Sequence, residues 1–164
     1  MEKSNVYFAD FHTVANGDGL AAKLKKLIRA AGIGQIDMEG KFAAIKMHFG
    51  ELGNLSFLRP NYARAVADVV KELGGMPDLT DCNTLYPGSR KNALEHLYCA
   101  WENGFTPLTV GCPILIGDGL KGTDEVAAVS YTHLGWSPRR AGPGRSPQSR
   151  DCRESSACGT TGPS

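Results

Sequence analysis

Apolar and polar positions along the first 128 residues follow a strand–helix order. Asn5 to Phe11 (NVYFADF) is rich in β-formers and predicts a strand. Turn chemistry follows at Asn16-Gly17-Asp18-Gly19, with Asp18 as a candidate N-cap. Leu20, Leu24, Leu27, Ile28 and Ala31 then recur at helical spacing and predict an amphipathic helix stopped by Gly32. Lys23, Lys25, Lys26 and Arg29 fall on its solvent side. Phe42 to Phe49 predicts a second strand, and Arg59-Pro60 opens a second helix, since proline suits a first helical turn. Tyr62, Val66, Val69, Val70 and Leu73 form its inward stripe. Met76 to Asp81 predicts a third strand, placed near a sheet edge by Pro77. A third helix starts at Ser89, with Leu94, Leu97, Tyr98 and Trp101 inward. Pro113 to Gly117, apolar on both sides, predicts a central fourth strand.

Strands alternating with amphipathic helices predict an α/β fold: a layered, largely parallel sheet with flanking helices and right-handed crossovers. The texture changes at Val129. Residues 129–164 are rich in Ser, Gly, Arg and Pro and show neither period, a composition that cannot bury enough apolar surface to offset ordering entropy. Ser130 to Leu134 (SYTHL) resembles the peptide produced when sequencing-adapter DNA is translated. The expectation is an incomplete domain over 1–128 followed by a disordered or non-native tail over 129–164.

A chain of 164 residues has the length of one domain. Its formal net charge of +1 lacks the basic excess of a phosphate-neutralising nucleic-acid binder. No basic-then-apolar leader and no membrane-length apolar run is present, which predicts a cytoplasmic protein with no membrane and no nucleic-acid partner. The five cysteines show no Cys-x-x-Cys spacing. Reduced thiols are expected rather than a disulfide framework, and no metal-ligand set is visible.

In an open parallel sheet the ligand crevice lies outside the carboxyl ends of the strands. Three strand-like runs here end in unusual polar clusters. The first, residues 46–60, offers His48 as metal ligand, general base or donor to an anion, with Glu51, Asn54 and Arg59 as ligand-binding candidates. A plain backbone hydrogen bond by His48 and a surface pair by Arg59 are the simpler account. The second, residues 80–92, offers Asp81, Asn83 and Arg90 before a helix N-terminus suited to anions, against ordinary capping and a turn. The third, residues 116–122, offers Asp118 and Lys121, against a tight turn alone. His48, Asp81 and Asp118 are the candidate catalytic set; Asp10 and His12 are weaker additions. His96 and the cysteines receive no role. The absence of a P-loop, Gly-x-Gly-x-x-Gly, Gly-x-Ser-x-Gly or His-Glu-x-x-His removes the commonest nucleotide, hydrolase and zinc-protease readings.

VYFADF, IKMHFGELGN with LRPNYA, TDCNTLYPGSRKNALEHL, NGF and DGLKGTDEV, in that order, closely resemble the uncharacterised Fe–S center proteins built on domain-of-unknown-function family 362. The resemblance covers about residues 5–128. It implies that His48, Glu51, Asp81, Asn83, Arg90 and Asp118 are family-like polar positions of unassigned role. It also implies that the domain continues with further strands. Many such proteins then carry a ferredoxin-like module whose Cys-x-x-Cys-x-x-Cys-x-x-x-Cys-Pro runs hold [4Fe–4S] clusters. Cys82, Cys99 and Cys112 do not match those ligands, and Cys152 and Cys158 have the wrong spacing. A 4Fe–4S cluster is thus expected in the full-length family protein, with no ligand for it in this chain. The implied function is redox or electron transfer, with a small-molecule or anionic ligand and a redox partner. The alternatives are a non-redox metal-dependent enzyme of isomerase or lyase type and a plain ligand-binding module.

Overall fold

Residues 4–13 and 15–124 are described by a computed structural model of the chain, and within them three apolar runs pair as strands. They are β1 (Phe42–Lys46), β2 (Met76–Asp81) and β3 (Ile114–Ile116). The sheet is parallel throughout, in the order β1-β2-β3. Helix α1 (Leu20–Ala30) precedes it, α2 (Pro60–Glu72) joins β1 to β2, and α3 (Ala93–Glu102) with the short α4 (Pro107–Val110) joins β2 to β3. The α/β class and the parallel sheet agree with the sequence pattern. The tail predicted over 129–164 lies outside the described residues.

The register puts Ile45, Leu79 and Ile114 on one face of the sheet. Ala63 and Ala67 of α2 and Ala100 of α3 pack against that face with Phe49, Phe105 and Val110. Alanines at these helix positions let the backbone approach the sheet closely. Phe105 fills the space beyond them, with ring centroids 5.4 Å from Phe49 and 6.0 Å from Phe57. The opposite face presents Phe42, Ala44 and Lys46 of β1, Met76 of β2 and Leu115 of β3, all exposed among the described residues.

Several local expectations are corrected. Asn5 to Phe11 forms no strand; a strand needs a pairing edge, and this segment instead lies along α1, where Lys23 Nζ donates to Asp10 O (2.9 Å) and His12 O (2.8 Å). Asp18 does not cap α1, whose N-cap is Gly19; its carboxylate pairs with Lys26. β2 is central rather than marginal. Met76 N–H donates toward β1 (Lys41 O, 2.8 Å) and Leu79 N–H toward β3 (Pro113 O, 2.9 Å). Pro77, one step after Met76, therefore lacks its donor on the β3 side, at a level where β3 has not begun to pair. The missing N–H costs no ladder bond. β3, expected in the centre, lies at the margin of the described sheet.

Helix α3 begins at Ala93, not Ser89, because Asn92 caps it: its Oδ1 accepts from Glu95 N (3.0 Å) while its Nδ2 donates to Glu95 Oε1 (2.9 Å). Its inward face is also turned from the predicted one. His96, Cys99 and Ala100 are buried and Leu97 packs against the core as expected, whereas Leu94, Tyr98 and Trp101 are exposed. Both sets have helical spacing, so periodicity alone does not choose between them.

Candidate functional site

Parallel pairing brings the carboxyl ends of all three strands to one rim, with Lys46 in register with Thr80 and Asp81 with Ile116. His48 and Asp118 follow β1 and β3 by two residues each, and Asp81 ends β2. The three candidate catalytic residues thus leave the sheet on the same side. Their side chains then enter two separate groups of contacts.

Asp81 is the centre of the first group, with its side chain only 6% exposed. Its Oδ1 accepts from Lys46 Nζ (2.5 Å) and from Cys82 N–H (2.9 Å). Oδ2 lies 3.4 Å from His96 Nε2 and 3.7 Å from Arg90 Nη1. Burial pushes the Asp81 carboxyl up, but His96, Lys46 and the Cys82 amide outweigh it and hold it down to about 2. Arg90, itself buried, donates from Nε to Glu51 Oε2 (2.9 Å) and from Nη2 to the Tyr86 hydroxyl. Burial pushes the Glu51 carboxyl up as well, and the Arg90 guanidinium more than offsets this, leaving it below the usual range.

His48 stands at the solvent edge of the same group. Its Nδ1 accepts a hydrogen bond from Gly50 N–H (2.8 Å). Gly50 has φ +84° and could not carry a side chain: a Cβ there would sit 2.7 Å from Asn103 Nδ2 and 2.8 Å from Phe57 Cδ1. With Nδ1 occupied as an acceptor, the neutral ring carries its proton on Nε2. Partial burial and then the charge of Arg90 lower the His48 pKa below its ordinary value, against the opposing pull of Asp81 and Glu51. His48 therefore presents an N–H donor rather than a free lone pair.

The second group is a clamp between the ends of β2 and β3. Asp118 accepts from the Asn83 backbone N–H (3.0 Å to each oxygen) and from Asn83 Nδ2 (3.0 Å), which also donates to Gly119 O (3.0 Å). No hydrogen bond or ion pair joins Asp118 to His48 or Asp81 among the described residues. The remaining candidates stand apart. Asn54 Oδ1 accepts from Ser56 N–H (2.8 Å) and shapes its own loop. Arg59 precedes α2 as its N-cap, its guanidinium stacked 4.8 Å over the Phe57 ring. Lys121 is exposed and makes no ion pair among the described residues. Sequence reasoning missed three members of the Asp81 group: Lys46, Tyr86 and His96. Lys46 lay inside the predicted strand Phe42 to Phe49, which ends in the structure at Lys46 itself. His96 had no signal, because the more apolar stripe of α3 pointed the helix the other way.

The domain of unknown function DUF362 matches residues 43–137, more than half of the chain and all of the rim described above. The chain belongs to the DUF362 family. No curated protein and no solved structure matches it. The three described cysteines of this DUF362 chain do not fit an iron–sulfur cluster. Cys82 is exposed beyond β2, while Cys99 and Cys112 are buried in the core, and burial raises all three thiols above the ordinary range. Among the described residues no three His, Cys, Asp or Glu side chains are grouped to hold a metal ion, and no helix is long and apolar enough to cross a membrane.

Proposed function

We propose that this DUF362 domain is the ligand-holding part of a redox-linked, iron–sulfur-associated protein, and that its rim binds a small oxyanion. The observation that carries the oxyanion reading is the direction of the rim groups. The acids are not free to meet a ligand: Asp81 Oδ1 accepts from Lys46 and the Cys82 amide, its Oδ2 lies buried beside His96, and Glu51 accepts from Arg90. The outward groups are donors. Lys46, 61% exposed, uses one of three ammonium protons on Asp81, and His48 offers Nε2–H. A carboxylate, phosphate or sulfate oxygen complements two such donors, whereas a metal ion needs lone pairs. The redox half rests on the resemblance to Fe–S center proteins. Its clusters would be carried outside the described residues.

Sulfate is a suitable probe because its charge is constant across the neutral range. Titrated calorimetrically into the full chain, it should bind saturably, and His48→Ala should weaken binding by about tenfold, the worth of one hydrogen bond to a charged group. Circular dichroism should be unchanged. Equal binding by the variant, or tighter binding of Zn2+ than of sulfate, would remove the oxyanion reading. For the redox half, the native polypeptide expressed whole without oxygen should be coloured and bleach with dithionite. A colourless, folded protein would remove that half alone.

A further inference from the structure

A fully buried imidazole sits directly beneath the rim. His96 of α3 is 0% exposed, and Phe49 meets its ring edge-on at 5.7 Å. His96 Nε2 approaches Asp81 Oδ2 to 3.4 Å but off the line of a full hydrogen bond, so neither ring nitrogen, nor Asp81 Oδ2, makes a complete one. A side chain kept only to fill the core would be apolar, since an unpaired buried polar atom is costly. The Asp81 carboxylate also has divided duties. Oδ1 faces outward to Lys46 and Cys82 N–H, and Oδ2 faces inward to His96 and Arg90.

We propose that His96 is a positioning residue for the rim, acting through Asp81 on Lys46 to set the direction from which the ammonium meets an oxyanion. The ligand class in this inference rests on the oxyanion reading above; the line of three side chains does not. Arg90 Nη1 alone, at 3.7 Å, is too distant to fix the carboxylate plane. Without the imidazole, the carboxylate keeps only the Cys82 N–H and Lys46 on Oδ1 and can turn about them, carrying Lys46, which is anchored by no other ion pair among the described residues. The charged group facing His96 is Asp81 of β2, which is shared with Arg90 ahead of α3 and Lys46 of β1; Arg90 in turn pairs with Glu51.

The test uses the full chain with sulfate as probe. His96→Phe should weaken sulfate binding by about tenfold, and His96→Gln, which keeps a donor, should recover most of it. A structural role would not be rescued by glutamine. In parallel, nitrogen NMR follows the His96 ring and the Lys46 ammonium, with Asp81→Asn expected to shift the His96 signals and His96→Gln to leave the Lys46 signal near its original position. If the unmodified chain binds sulfate and His96→Phe binds it equally, the positioning role is overturned and the oxyanion reading stands. If the unmodified chain binds no sulfate, the oxyanion reading falls. The NMR signals then decide the positioning role by themselves: a His96 ring indifferent to Asp81→Asn overturns it. Should His96→Phe fail to fold, the glutamine variant and the NMR shifts decide in its place.

Discussion

Replacing Asp81 with alanine is expected to destabilise the domain by about 3–5 kcal/mol, the usual cost of removing one partner from a buried charge cluster. The loss exceeds the value of any single contact because of what it leaves behind. Arg90 and His96 stay buried without the carboxylate they face, and Lys46 loses its only ion pair among the described residues. Urea unfolding at neutral pH measures this directly, and a change under about 1 kcal/mol would show that the cluster is not coupled to the fold. Acid gives a second reading of the same group. The Asp81 carboxyl titrates at about 2 in the fold, against an ordinary value of 3.8, so folding favours its ionised form. Its contribution is complete above the ordinary value, falls as pH drops through that window, and is gone below the folded value. Between those limits the stability of the unmodified chain should fall more steeply with acid than that of Asp81→Ala. Parallel curves would contradict the ion-pair account.

Truncating Phe49 to alanine is expected to cost about 3–5 kcal/mol, as for other buried aromatic residues. Phe49 is fully buried directly after the rim histidine and touches both the Phe105 ring and the His96 ring. Removing it opens a cavity between the hydrophobic cluster and the charged one. Phe105 leans on Phe57, so the gap cannot close by a simple shift of one ring. The denaturation midpoint should fall with little change in the slope of free energy on urea. A milder loss, with sulfate binding intact, would mean that the loop after β1 repacks independently of the rim.

Which parts of this structure the sequence made legible follows from the range of the forces involved. The limits of β2 and the opening of α2 at Pro60 could be read directly, because apolar runs and proline act locally. The sharing of one rim by His48, Asp81 and Asp118 followed from parallel pairing. What each side chain does there depends on partners up to 39 residues away in the chain, as with Glu51 and Arg90, and no local pattern encodes such a contact. Asp118 illustrates the limit: a carboxylate at a strand end looks catalytic in sequence, yet its oxygens are occupied by Asn83. Helix α3 illustrates another. Its Leu, Tyr and Trp stripe looked inward on hydrophobicity, but a fully buried side is set by what the sheet can receive, and the smaller His96, Cys99 and Ala100 fit closer.

The attachment of α1 has a different physical basis from that of the other long helices. No residue of α1 is fully buried, its apolar stripe is half-buried, and Lys25 pairs with Asp68 at 2.9 Å and Glu72 at 3.8 Å of α2, as Arg29 does with Glu72. Such pairs weaken as dissolved salt shortens the range of charge interactions, whereas the contacts of α2 and α3 strengthen or hold. Ionic strength thus acts selectively on this molecule. Added salt is expected to weaken the exposed ion pairs of α1 before the buried Arg90–Glu51 pair at the rim, which is screened less.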